Sequence, residues 1–217
     1  MEYEIIQSGS KGNCLVLDNK IMIDCGLSYA KIKDRLKNIK LICLTHIHSD
    51  HFLKSTIKKI ALEKPTIKFV CGEHLIKPLI DCGARKNNIF ALKTDNWYNL
   101  GMLKIKIESL FHDVENVCYK IQYKDKKIFY ATDTGRIDHI DAENYDYYFI
   151  EANYESDEEL DEKINKAKEN EEYTHLIRVK QTHLSQIQCL DWLYKNRKNN
   201  GEYVFMHQSE SQVNNDE

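Results

Sequence analysis

Residues 45–51 read Thr-His-Ile-His-Ser-Asp-His, which packs three imidazoles and one carboxylate into six residues directly after the apolar run Leu41-Ile42-Cys43-Leu44. Neutral imidazole and carboxylate are the donors that zinc and similar divalent ions prefer. At a strand end, the alternate residues His46 and His48 can project into one cleft. Asp50 and His51 are then expected from the first turn of a following helix. A group of surface histidines is the plain alternative. With nine His and sixteen Asp in 217 residues, H-x-H-x-D-H arises by chance in roughly one chain in a thousand. Metal binding is the better reading.

The elements that must position this segment follow from the hydrophobic pattern. Apolar stretches at 3–7 and 14–17 flank the Gly-rich turn Ser8-Gly9-Ser10-Lys11-Gly12-Asn13, and a third at 21–23 follows Asp18-Asn19. Together they predict a meander of strands. Helical spacing covers 28–37, with Ser28 as N-cap, then 52–62 and 73–80. Strands are predicted at 40–45, 67–71, 89–92, 102–110, 117–123, 127–131, 147–150 and 203–206. A highly charged helix is expected at 157–172 and another helix at 184–195. The polar stretch 209–217 reads as a frayed tail. Each half runs from strands to helices with no linker between them, so one domain over residues 1–208 is expected.

Composition narrows the class. Lys and Arg total 31 against 34 Asp and Glu, a net charge of -3, without the basic excess of a duplex-binding surface. With 42% hydrophobic and 30% charged residues, the chain has the balance of a globular protein with a core. The seven cysteines are scattered and never spaced C-x-x-C. That pattern fits reduced, buried thiols and a cytoplasmic location, and it argues against a disulfide framework or a thiolate zinc site. No apolar run reaches the ~18 residues of a membrane span, and the first ten residues lack a signal-peptide pattern. No membrane partner is expected.

H-x-H-x-D-H after a strand resembles the signature of the metallo-β-lactamase-fold superfamily, and the other motifs of that family can be sought in order. Ile21 to Gly26 is similar to its first motif, which gives Asp24 the task of orienting the ligating loop from behind. Phe111-His112-Asp113 resembles the third motif and Ala131-Thr132-Asp133-Thr134-Gly135 the fourth. His207 stands where the last histidine belongs. The resemblance implies an α/β fold, a four-layered αβ/βα sandwich of two mixed sheets flanked by helices. It also implies two divalent metal ions, zinc first and manganese second. One would take His46, His48 and His112, the other Asp50, His51 and His207, with Asp133 between them. Two ions about 3.5 to 4 Å apart lower the pKa of a shared water and clamp the attacking and leaving oxygens.

What is missing narrows the subfamily. His51 is present where the best-known class B lactamases lack a histidine. The helical C-terminal domain of glyoxalase II and the insertion of the β-CASP nucleases do not fit this chain. Glu151-Ala152-Asn153 and Thr182-His183-Leu184-Ser185 are similar to elements that ribonuclease Z relatives use in proton transfer. An imidazole suits the protonation of a departing alkoxide. The turn G-S-x-G-N with H-L-S resembles the compact YycJ/WalJ group of exonucleases.

The resemblance therefore implies a phosphodiesterase, a nuclease or exonuclease on DNA or RNA, with Asp50, Glu151 and His183 as candidate catalytic groups. A cyclic-nucleotide phosphodiesterase and a thioester or lactone hydrolase are the alternatives. The roles of His183 and His207 are exchangeable at this stage, and the oligomeric state, a homodimer included, is open. Ser10 and Asn13 are candidate substrate contacts, although a hairpin turn needing positive φ explains the adjacent glycines equally well. The lysines at 54, 58 and 59 share a helical face that could guide an anion or simply be solvated. About half of the aromatic group Tyr145, Tyr147, Tyr148, Phe149 and Tyr154 is expected in the core and the rest exposed.

Overall fold

Cys14 to Leu17 and Leu41 to Leu44 contain no polar residue, and a strand can be apolar on both sides only where both of its faces are covered. All eight residues are buried. The computed structural model describes residues 1–167 and 172–208, and the chain divides into two compact units between Tyr98 and Asn99.

In the first unit, β1 (Tyr3–Gln7), β2 (Cys14–Leu17), β3 (Ile21–Ile23), β4 (Leu41–Leu44), β5 (Lys68–Gly72) and β6 (Ile89–Leu92) form one sheet in sequence order. The first three are antiparallel, and β3 through β6 are parallel. The β2–β3 turn is tight because Asp18 and Asn19 both adopt left-handed backbone, φ 46° and 53°. Helices α1 (Tyr29–Ile32), α2 (Lys54–Glu63) and α3 (Ile76–Asp81) contribute Ile32, Ile57, Ile60 and Leu79 to a core shared with Met22 and Phe69 of the sheet.

In the second unit, β8 (Leu103–Leu110), β9 (Asn116–Tyr123) and β10 (Lys126–Ala131) are antiparallel, and β11 (Tyr147–Glu151) and β12 (Glu202–Met206) continue parallel to β10. The two-residue β7 (Tyr98–Asn99) edges this sheet. β8 alternates strictly enough to bury Leu103, Ile105, Ile107 and Leu110, the period of a strand with one covered face. Helices α4 (Asp157–Lys166), α5 (Glu172–Thr182) and α6 (Gln186–Asn196) complete the unit. Cys189, Trp192 and Leu193 of α6 pack with Phe129, Tyr148 and Ile150 of the sheet. Two mixed sheets flanked by helices are the α/β class expected from the sequence.

Several local expectations are corrected. Residues 28–37 form the four-residue α1 and a 3-10 turn at Arg35–Lys37 instead of one helix, and Ser28 makes no side-chain cap. Ile32 and Leu36 are the buried anchors, and segments this short do not repay helix nucleation by themselves. α2 starts at Lys54, not Phe52, because Phe52 bridges to Cys25 in β fashion. Asp50 and His51 therefore sit in a turn ahead of the helix. The charged helix expected at 157–172 ends at Lys166, capped at its start by Ser156 accepting from the Glu159 amide. α5 follows unannounced, since its threonine and valine weaken the helical pattern. Four of the five grouped aromatics are buried, with Tyr147 alone half-exposed. The tail 209–217 lies outside the described residues. Among the described residues no helix is long and apolar enough to cross a membrane.

Candidate metal centre

Strand direction decides which loops meet. β3 and β4 are parallel neighbours, so Asp24 and Thr45, each directly after its strand, share one edge of the first sheet. In the second sheet β8 and β10 are both antiparallel to β9, while β10, β11 and β12 are parallel. The residues that close β8, β10, β11 and β12, namely His112, Asp133, Glu151 and His207, consequently share one edge as well. In both sheets the polar residues gather at the carboxyl ends of these strands, the usual side for a site in an α/β sheet.

In the first unit the buried carboxylate of Asp24 organises the histidine loop. Oδ1 accepts from the Thr45 amide at 2.9 Å and from Thr45 Oγ1 at 2.9 Å, and Oδ2 lies 2.7 Å from His51 Nδ1. Thr45 Oγ1 is also 3.0 Å from His46 Nδ1. Because the hydroxyl hydrogen is committed to the carboxylate, Oγ1 can only accept from His46 Nδ1–H. The same carboxylate thus fixes the tautomer of two imidazoles, His51 directly and His46 through Thr45, and makes Nε2 the acceptor atom of each, that of His51 facing Asn13 Nδ2 at 2.8 Å. The His46 ring centroid is 4.9 Å from that of His48 and 4.2 Å from that of His51. The loop is clamped from beneath by Gly26, where a Cβ would stand 1.6 Å from the Asp50 carbonyl oxygen.

Asn13 is fully buried. Its amide binds the Gly9 N–H at 2.9 Å and lies 2.8 Å from His51 Nε2, which ties the Gly9–Asn13 turn to the histidine loop. Ser10, by contrast, is exposed and lines a cavity beside Asp50.

In the second unit Asp133 stands between two imidazoles. His112 Nε2 is 3.8 Å from Asp133 Oδ2, and His207 Nε2 is 3.6 Å from Asp133 Oδ1. His112 Nδ1 donates to the Thr182 carbonyl at 3.2 Å, which again leaves Nε2 for ligation. Asn153 Nδ2 lies 3.1 Å from His207 Nδ1 and donates to the His207 carbonyl at 2.9 Å. The Asp133 backbone is held by Asn116, which donates to its carbonyl at 2.7 Å. Glu151 accepts from the Thr134 amide at 2.8 Å and pairs with His183 Nδ1. His183 stacks on His207 with centroids 5.2 Å apart and planes 10° from parallel. His207 thus faces Asp133 directly, while His183 is held by Glu151 one layer aside. Gly135 lets α5 approach, since a Cβ there would meet the Gln181 carbonyl oxygen at 2.1 Å.

Asp24, Asp133 and His207 all have left-handed backbone, φ 59°, 55° and 53°. A non-glycine residue there costs of order 1 kcal/mol and is maintained by the surrounding structure. The strain re-aims each side chain at the moment its strand ends.

The donor chemistry fits divalent metal. Ligand atoms of Asp133, Glu151, His183 and His207 lie within 4.8 Å of one another in the second unit. Two buried carboxylates that close repel one another unless a positive charge joins them. In the first unit three imidazoles crowd together, two of them with tautomers set for ligation. Sequence reading missed the supporting parts: Thr45 as a relay, Asn153 behind His207, Asn116 under Asp133 and the Thr182 carbonyl behind His112. Thr45 and Asn153 lie within quoted motifs, so only their roles were hidden. Thr182 too opens a quoted motif, and only Asn116 carried no local signal.

A family model described as the beta-lactamase superfamily domain matches residues 19–207. Among solved structures, YhfI from Bacillus subtilis, a metallo-beta-lactamase fold protein, is 15% identical with a TM-score of 0.71, covering 95% of this chain and 85% of its own. The short form of human tRNase Z is 16% identical with a TM-score of 0.69, over 98% and 94%. Zinc-bound PqqB from Methylobacterium extorquens is 11% identical with a TM-score of 0.63, over 96% and 89%. At these identities the likeness shows the fold, which is the metallo-β-lactamase fold expected from the motifs. No protein of curated function matches the chain.

Proposed function

We propose that this chain, which belongs to the beta-lactamase superfamily, is a metal-dependent phosphodiesterase, a nuclease or exonuclease on DNA or RNA. The superfamily is one of metal-dependent hydrolases, and the chain carries His and Asp clusters of the matching donor types. The ligand assignment remains the one that the resemblance implies: His46, His48 and His112 for one ion, Asp50, His51 and His207 for the other, and Asp133 shared. Two divalent ions bound there would supply Lewis acidity toward a phosphoryl oxygen and lower the pKa of a water between them. Zinc is the first candidate and manganese the second, since both accept these donors.

The observation that carries phosphodiester chemistry is the His183–Glu151 pair beside Asp133. A departing alkoxide is a poor leaving group and needs a proton as the P–O bond breaks. Glu151 holds His183 through Nδ1, so Nε2 is the atom left to carry that proton. Thiolate departure from a thioester does not need such a donor, which weighs against the thioester alternative. Asp24, Thr45 and Thr182 engage Nδ1 of His51, His46 and His112, which supports assigning those three as ligands and His183 to proton transfer. Free, buried cysteines support a cytoplasmic setting.

The test is an activity screen of the metal-loaded full-length protein, with chelator-treated protein as the blank. Substrates are bis(p-nitrophenyl) phosphate, single- and double-stranded DNA, RNA, cyclic nucleotides and acyl esters. Metal-dependent turnover of the phosphodiesters is expected. Turnover confined to acyl substrates would overturn the proposal.

A further inference from the structure

Charge is unevenly divided along the chain. Residues 1–98 carry 16 Lys and Arg against 10 Asp and Glu, whereas residues 99–217 carry 15 against 24. The cationic half also holds two cavities that share the histidine loop as a wall. One, of about 350 Å³, is lined by Ser10, Lys11, Ser28, Lys31, Ser49 and Asp50. The other, of about 320 Å³, is lined by Ile47, Lys54, Ser55 and Lys58, with Asp81 at its side.

We propose that the substrate is a single nucleic-acid strand lying across the first unit. Phosphates on one side of the scissile bond are held by Lys11 and Lys31, and those on the other side by Lys54 and Lys58. This rests on the phosphodiesterase reading above and adds to it the length of the substrate. Asp81 beside the second cavity is paired with Lys77 at 2.7 Å, and Asp50 beside the first is a candidate metal ligand.

The first cavity is built in advance of binding. Gly9 and Gly12, at φ 140° and 138°, make a turn closed by the Gly12 amide on the Gly9 carbonyl at 2.9 Å. Asn13 fastens that turn from inside, and Ser10 and Lys11 stand exposed at its tip. Lys31 Nζ is steadied by Gln7 Oε1 at 3.1 Å. In the second cavity Lys54 and Lys58 are four residues apart on α2 and share a face, both exposed. Ammonium groups and hydroxyls in this mixture recognise phosphate oxygens without reading base identity. A cyclic nucleotide, with a single phosphate, cannot occupy both cavities.

The experiment measures fluorescence anisotropy of a labelled twelve-nucleotide strand, DNA or RNA, with chelator-treated full-length protein, so that affinity is read without turnover. The double variants Lys11→Ala/Lys31→Ala and Lys54→Ala/Lys58→Ala should each weaken affinity about tenfold. Each should also flatten the dependence of log Kd on log salt by about 1.4, two phosphate contacts at roughly 0.7 apiece. Lys163→Ala/Lys166→Ala, on α4, should change neither. An unmoved affinity and salt slope in both first-unit doubles would overturn the proposal, as would wild-type binding no tighter than to a dinucleotide. Salt-dependent strand binding by a wild type that turns over no phosphodiester when metal-loaded would instead defeat the phosphodiesterase reading. The two failures are therefore distinguishable.

Discussion

The Asp24 carboxylate and the His51 imidazole meet at 2.7 Å, Oδ2 to Nδ1, with both side chains wholly buried. One charged acceptor thereby orients one candidate ligand and, through Thr45, a second. Asp24→Asn puts an amide where an acceptor is needed and should lower metal affinity by about 10–100-fold. Competition against a chromophoric chelator measures this. Wild-type affinity in the variant would remove the orienting role.

Asp133 lies between His112 and His207 at under 4 Å from each. Asp133→Ala should reduce phosphodiester turnover more than about 100-fold, equivalent to ~2.7 kcal/mol of barrier, while the thermal midpoint changes little. Circular dichroism melts and initial rates on one preparation check both. Full activity would exclude the shared-ligand assignment.

The proton-donor role of His183 predicts a dependence on the leaving group. His183→Ala should slow cleavage of a dinucleotide, which expels an alkoxide, by about 10²–10⁴-fold. Bis(p-nitrophenyl) phosphate expels a stable phenolate and should lose far less. Glu151→Gln should follow the same pattern, weaker. Equal losses on both substrates would mean that His183 acts by some route other than protonation.

The contact under the histidine loop predicts a stability difference between two glycines. At Gly26 a methyl group would overlap the Asp50 backbone at 1.6 Å, and backbone cannot rotate aside. Gly26→Ala should cost about 4 kcal/mol or prevent folding. Gly83 has φ 90° but open space around it, so Gly83→Ala should cost only about 1 kcal/mol. Urea denaturation of the pair decides it, and comparable midpoints would contradict the clamp.

Burial pushes the thiols of Cys71 and Cys118 up to about 12, and those of Cys25 and Cys43 higher still. All seven cysteines should resist Ellman's reagent at pH 8 in the native state and react after denaturation. The linkage has a definite sign. Unfolded thiols ionise near pH 9 while the folded ones hold their protons, so stability is intact below pH 9 and falls as pH climbs toward 12. A urea midpoint that is flat or rising over that window would contradict the burial.

Legibility in the sequence followed the range of the interactions. His46, His48, Asp50 and His51 declare themselves by spacing, because one loop holds all four. Every described strand but the two-residue β7 was readable for the same reason, as a short apolar or alternating run. The start of α2 was misplaced because Phe52 is captured by Cys25, a partner no local window contains. α5 left almost no pattern, yet its Thr182 carbonyl steadies His112 and its Arg178 binds Asp113. The burial of Asn13 against His51 is a tertiary fact that its place in the turn did not announce.

The two sheets share a plan: antiparallel pairing gives way to parallel pairing at one strand, β3 in the first and β10 in the second, and an aspartate in left-handed backbone follows that strand in each. Asp24 and Asp133 are counterparts in that plan, although one braces imidazoles and the other is proposed to be a ligand. The same strained corner thus serves as scaffold in one sheet and, in our proposal, as reagent in the other.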